Sequence, residues 1–71
     1  MPIETLHLIS SKSAIVTDCD TCMEVLYETD LADFSNIRVA ETLANLHIAR
    51  TAREGREHQV QIVIYHTPKT K

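Results

Sequence analysis

The sequence predicts an α+β fold, a single small domain in which one amphipathic helix packs on a three- or four-stranded, mainly antiparallel sheet. Two observations lead to this prediction. The chain has 71 residues, 44% of them hydrophobic, and this length suits one domain. One segment near the middle has helical periodicity, whereas the segments on either side have the apolar patterns of strands. We therefore expect the order β-β-β-α-β in a single domain over residues 1–71, with residues 67–71 as a flexible tail.

The strands are predicted from short apolar runs that polar segments separate. Ile3–Ile9 and residues 14–17 flank a serine-rich turn, and we expect them to pair as a hairpin. Residues 23–27 alternate between apolar and other side chains and are expected to form a third strand, with a short helix as the alternative. Residues 58–66 are apolar on both faces at their centre, which indicates an interior strand.

The helix is expected over residues 36–54, because its apolar side chains share one side of a helical wheel. These side chains are Ile37, Val39, Ala40, Leu43, Ala44, Leu46 and Ile48. Asp33 or Ser35 can cap its first turn, and Gly55 stands where a left-handed residue commonly ends a helix. An earlier start would place Phe34 on the polar side of the wheel, so we begin the helix near Ser35.

The small size of the chain raises the question of what stabilises it. A domain of this length buries only ~60% of the surface that its unfolded chain exposes, so the core is thin. Chains below ~70–80 residues commonly depend on a metal, disulfides, a partner subunit or very good packing. The two cysteines are too few for a disulfide scaffold. A bound metal, self-association or packing alone remain as explanations.

Cys19 and Cys22 form a Cys-x-x-Cys turn between two predicted strands. A turn of this spacing can bring two thiolates onto one tetrahedral metal ion. These four residues resemble the first half of a zinc ribbon, but the chain has no second Cys-x-x-Cys, and the proline and glycine common in such knuckles are absent. Histidines would have to supply the other ligands, and the chain has four: His7, His47, His58 and His66.

His47 is the most informative histidine, because it falls on the apolar side of the predicted helix and should face the sheet. Together with Cys19, Cys22 and either His58 or His66 it would complete a Cys2His2 site for one structural zinc ion. His58 and His66 lie at opposite ends of one predicted strand, so at most one of them fits. The set that ends at His58 is our candidate metal site, with His66 as the alternative fourth ligand.

Simpler interpretations remain, and the residues alone favour them over the metal site. His47 would be a hydrogen-bonded core residue and the cysteines reduced thiols, since acidic neighbours disfavour thiolates. A thioredoxin-like redox site would place its first cysteine at a helix N-terminus, whereas here a β-like acidic segment follows. The only glycine is Gly55, so a phosphate-binding glycine loop is excluded. We find no catalytic motif and expect no enzyme.

The net charge of −3 hides an uneven distribution, because residues 1–35 carry −6 and residues 36–71 carry +3. An acidic patch and a basic patch are therefore candidate surfaces for partners. The acidic patch consists of Asp18, Asp20, Glu24, Glu28, Asp30 and Asp33, and the basic patch of Arg50, Arg53 and Arg56. The ordinary role of such residues is to keep a protein soluble.

Two functional hypotheses follow. The first is a small non-catalytic interaction protein that binds or inhibits a macromolecular partner, as phage and mobile-element accessory proteins do, and that can form a homodimer. Its partner is expected to be a protein rather than a nucleic acid. The second is a zinc-stabilised module that contacts nucleic acid through the basic patch. No apolar run approaches the ~18–20 residues of a membrane span, and no signal peptide is recognisable, so we expect a cytoplasmic protein.

Overall fold

The structure, a computed structural model, describes residues 3–68. Its elements are β1 (Ile3–Ile9), β2 (Ala14–Cys19), β3 (Glu24–Thr29), α1 (Phe34–Ala52) and β4 (Val60–His66). The strands form one sheet in the order β1-β4-β2-β3, in which β1 and β4 are parallel and the other neighbours antiparallel. The predicted fold class is confirmed. Most of the tail predicted to be flexible, residues 69–71, lies outside the described residues.

The predicted hairpin of β1 and β2 is wrong, because β4 lies between these two strands. β1 pairs in parallel with β4 over its whole length, beginning with Ile3 opposite Val60. Residues 10–13 therefore cross the end of β4, where the Ser10 N–H donates to the His66 carbonyl at 2.8 Å. β4 is an interior strand, as its apolar centre indicated, and an interior strand needs a neighbour on each side.

The helix occupies Phe34–Ala52, two residues earlier at each end than predicted. Of the two candidate caps, Asp33 is the one used, and its carboxylate accepts the Asn36 N–H at 2.9 Å. Phe34 enters the helix with 73% of its surface exposed, so its position on the polar side does not prevent the earlier start. At the other end, Gly55 takes the expected left-handed conformation with a φ of 77°.

The core lies between α1 and one face of the sheet. Its fully buried apolar residues are Ile15, Cys19, Ala40, Ala44, Val60, Ile62 and Ile64. The two alanines let α1 approach β2 and β4 closely, because they have no bulk beyond Cβ. The predicted apolar side of the helix is wider than the contact, since Val39 and Leu46 remain 41% and 53% exposed. Within residues 3–68, no helix is long and apolar enough to cross a membrane.

Candidate metal centre

The Cys-x-x-Cys turn connects β2 and β3, and its backbone holds both sulfur atoms close together. Cys19 is the last residue of β2, and its Sγ accepts the Cys22 N–H at 3.3 Å. The Met23 N–H donates to the Cys19 carbonyl at 2.8 Å. Met23 closes the turn with a φ of 61°, a left-handed conformation that glycine adopts more easily. The turn therefore holds the two cysteines together, with a methionine, not a glycine, at its left-handed position.

His58 enters the site from the segment just before β4, which is tied to the turn by two hydrogen bonds. The Asp20 N–H donates to the Gln59 carbonyl at 2.8 Å, and the Gln59 N–H donates to Thr21 Oγ1 at 3.0 Å. These bonds place the neighbouring His58 with Nδ1 3.2 Å from Cys22 Sγ and 3.4 Å from Cys19 Sγ. Only 5% of the surface of His58 is exposed. The imidazole is held between α1 and the turn.

His47 reaches the same point from α1. Its Nε2 lies 3.6 Å from Cys22 Sγ, and its ring meets the His58 ring edge to face, with 5.3 Å between their centres. One donor atom from each of Cys19, Cys22, His47 and His58 lies within 4.8 Å of every other. Three separate parts of the chain therefore converge on one point, which can hold a metal ion such as zinc.

Three of the donor–donor distances are close to those of a tetrahedral zinc site. Zinc bonds of about 2.3 Å to sulfur and about 2.0–2.1 Å to nitrogen put neighbouring sulfur and nitrogen ligands about 3.6 Å apart. Three of the four sulfur–nitrogen distances here are 3.2, 3.4 and 3.6 Å, and the fourth, between Cys19 and His47, is within 4.8 Å. A slight outward movement of His58 would open the centre to an ion. The four donors also match the sulfur and nitrogen ligands that zinc prefers in proteins.

His58 Nδ1, which faces both sulfur atoms, is the nitrogen that is placed to bind a metal ion. Nδ1 faces two sulfur atoms at once, although a neutral imidazole has only one proton to share. Nε2 is buried and has no hydrogen-bond partner among the described residues. A satisfied core histidine would place both nitrogens against partners. Coordination through Nδ1 would let this nitrogen interact with the ion in place of a shared proton, and it would leave the ring proton on Nε2.

The electrostatics of the turn depend on whether a cation is bound. Burial raises the pKa of the Cys22 thiol above its usual 9.0, and the adjacent Cys19 adds to this rise together with Glu24 and Glu54. Near neutral pH the thiol therefore stays protonated in the absence of an ion. A divalent cation reverses this preference, because it binds the thiolates and cancels their charge.

The centre is closed on one side and accessible on the other. Cys19 is 1% exposed, whereas Cys22 and His47 are half-buried and line a pocket of about 350 Å³ beside α1. Glu24 and Glu54 also line this pocket. Arg50 lines it as well, so the formal charge of the lining is −1, which favours the approach of a cation to the four donors.

His66, which the sequence left as the alternative ligand, lies at the far end of β4. It pairs there with His7, whose Nδ1 is 2.8 Å from His66 Nε2, and the two rings stack with their centres 5.1 Å apart. The register of the sheet explains why His66 is far from the cysteines, because Cys19 stands opposite Val60, at the start of β4. His58 precedes that start and His66 ends the strand. The structure therefore brings His58, not His66, to the knuckle.

The residues of the predicted acidic patch are distributed over several places. Asp18 and Glu28 lie on the sheet face opposite α1, Glu24 lines the pocket of the metal centre, Asp20 is exposed in the turn, and Asp33 caps α1. Asp30 is exposed in the segment that follows β3. Arg50, Arg53 and Arg56 are all exposed around the end of α1, and Arg50 also lines the pocket. The six acidic residues therefore do not share one surface, whereas the three arginines lie around the same end of α1.

Two residues that support the site were not singled out in the sequence. The Thr21 hydroxyl accepts the Gln59 N–H and so positions the backbone beside His58, and no local sequence pattern predicts this role. Met23 adopts the left-handed conformation for which a glycine would have been the signal.

The fold and the site define a small α+β domain with a Cys2His2 donor set. In comparisons with known proteins, no family model, no curated protein and no solved structure matches this chain. The functional interpretation rests on the geometry alone.

Proposed function

We propose that the protein is a zinc-stabilised binding module in which Cys19, Cys22, His47 and His58 hold one structural zinc ion. The convergence of their four donor atoms within 4.8 Å is the observation that carries this proposal. The four residues come from the β2–β3 turn, from α1 and from the segment before β4. An ion bound there would tie all three parts together.

The number of donors supports a structural rather than a catalytic role. Catalytic zinc sites keep one position open for water or substrate, whereas structural sites fill all four positions with protein ligands. Four protein donors are present here, which leaves no position for a reacting group. We therefore propose a non-enzymatic protein, consistent with the lack of a catalytic motif in its sequence.

A bound ion would add stability that the thin core of this domain does not provide. Among residues 3–68 only seven apolar residues are fully buried, two of which are alanines. Cys19 is itself one of the seven, so the site would be continuous with the core. A structural zinc ion contributes to the free energy of folding directly, because its ligands are assembled only in the folded chain. The metal would thus supply stability that apolar burial provides in larger domains.

A zinc module that contacts nucleic acid through Arg50, Arg53 and Arg56 is the second candidate. The exposure of all three arginines around the end of α1 favours it. Glu54 and Glu57 are interleaved with them, however, and the sequence pI is about 5.7. Nucleic-acid modules commonly show a coherent basic face instead. We therefore favour a protein partner, and we leave out the inhibitor and phage-accessory roles, because no relative supports them.

Cobalt(II) substitution tests the metal centre, because tetrahedral cobalt with thiolate ligands absorbs visible light and zinc does not. The protein is unfolded with a chelator, refolded and titrated with cobalt and then with zinc. We expect visible bands that saturate at one cobalt per chain and that zinc abolishes. The Cys19→Ser/Cys22→Ser variant should show none, and His66→Ala, outside the site, should behave like the wild type. A wild-type protein that develops no bands would overturn the proposal.

A further inference from the structure

The sheet face opposite α1 carries a contiguous apolar patch that no described element covers. We call it the open face, and its apolar side chains are Leu6, Leu8, Ala14, Val16, Val63 and Tyr65. The register places Leu6, Val63 and Val16 in one row across three strands and the other three in the next row. None of the six is buried, and Leu8 is 45% exposed.

The alternation of the strands shows that these side chains point away from the core. Ile15, Ile62 and Ile64 are buried under α1, and Val16 and Val63 are their immediate neighbours along the chain. Successive residues of a strand point to opposite faces of the sheet. An antiparallel sheet with one solvated face normally shows polar residues there, so six apolar residues indicate that something covers this face.

Acidic side chains border the patch. Glu4 and Asp18 lie at either side of Gln61 in the row next to the apolar ones, and Glu28 stands opposite Val16. None of the four strands contains a lysine or an arginine. One carboxylate oxygen of Asp18 is buried and has no hydrogen-bond partner among the described residues. The open face therefore combines an apolar centre with acidic side chains at its border, and its four strands supply no base to pair with them.

We propose that the open face docks a partner protein whose contact surface combines apolar side chains with lysines or arginines. The apolar part would cover the centre of the face, and the cations would meet Glu4, Asp18 and Glu28 at the border. A two-fold dimer through the same face would bring two acidic borders together without a base in any strand. Charge complementarity therefore favours a different protein over a second copy. The proposal goes beyond the metal centre and does not depend on it.

Selection from a random-peptide display library tests this proposal with a defined probe. The purified wild-type protein is the target, and the peptides recovered are sequenced and their affinities measured. We expect them to be enriched in lysine or arginine together with large apolar residues. Two matched pairs of variants locate the contact, Leu8→Lys with Leu46→Lys and Glu28→Lys with Glu41→Lys. The second member of each pair makes the same change at an exposed position of α1.

The expected result is that Leu8→Lys and Glu28→Lys each weaken binding about tenfold, while both α1 variants bind as the wild type does. Circular dichroism and metal content should be equal in all variants, which keeps misfolding apart from loss of contact. Peptides without basic residues, or equal losses in both members of a pair, would overturn the proposal. It would also be overturned if light scattering shows a wild-type dimer that Leu8→Lys converts to a monomer.

Discussion

The His47→Leu substitution removes one donor atom from the metal centre and places an apolar side chain on the sheet-facing side of α1. Its effect depends on what the imidazole does. If His47 were only a core residue, leucine would bury more apolar surface in its place, and stability would change little or rise. If His47 is a ligand, the variant loses most of the stabilisation that zinc provides. The two interpretations therefore predict different signs.

The size of the effect can be worked out from the linkage between binding and folding. A ligand that binds only the folded state at a thousand times its Kd stabilises that state by about 4.1 kcal/mol. In a domain of 60–100 residues each kcal/mol shifts the Tm by about 4–8 °C. Zinc at that excess should thus raise the Tm of the wild-type protein by about 16–33 °C, and His47→Leu should lose most of this rise.

The assay is thermal unfolding followed by circular dichroism, with excess zinc and separately with a chelator. His66→Leu is the matched control, because it makes the same change in a histidine that pairs with His7 at the other end of the sheet. The control should keep the full response to zinc. The reasoning is refuted if the wild-type Tm is the same with zinc and with chelator, or if His47→Leu responds to zinc as the wild type does.

Three further predictions concern the same fold and site. Zinc affinity should fall about a hundredfold when the pH is lowered from 8 to 7, because binding displaces protons from two thiols and burial raises the pKa of Cys22. Competition titrations at the two pH values measure this change, and equal affinities would contradict the prediction. Met23→Gly should raise the free energy of unfolding in urea by about 0.5–1 kcal/mol, because glycine adopts the left-handed conformation of this residue without strain and the lost side chain is 87% exposed. Val25→Gly in β3, the control, should lower it. Asp33→Ala should cost about 1 kcal/mol in the same assay through loss of the cap, and an equal loss in Asp30→Ala would count against that explanation.

The helix could be predicted from the sequence because its signals are local. Apolar periodicity, a capping aspartate and Gly55 all lie within or beside the segment that they define. The pairing of β1 could not be predicted in the same way, since its partner β4 follows more than fifty residues later. The apolar centre of β4 indicated that this strand has two neighbours. It did not indicate which strands those two neighbours would be.

The ligands of the metal centre also differ in whether local sequence features could predict them. The spacing of Cys19 and Cys22 and the position of His47 on the apolar side of the helix are local features, and both were visible in the sequence. The choice between His58 and His66 required the register of β2 against β4, which places Cys19 opposite Val60. That register is a tertiary property. The sequence could therefore define three donors and leave the fourth open.

The metal content of the native protein tests the central claim most directly. The protein is expressed without an affinity tag that binds metals, purified without chelator, and examined by elemental analysis together with its concentration from amino-acid analysis. We predict one zinc per chain in the wild type, and none in the Cys19→Ser/Cys22→Ser variant. A folded wild-type protein that contains no zinc, and whose Tm does not rise when zinc is added, would contradict the claim.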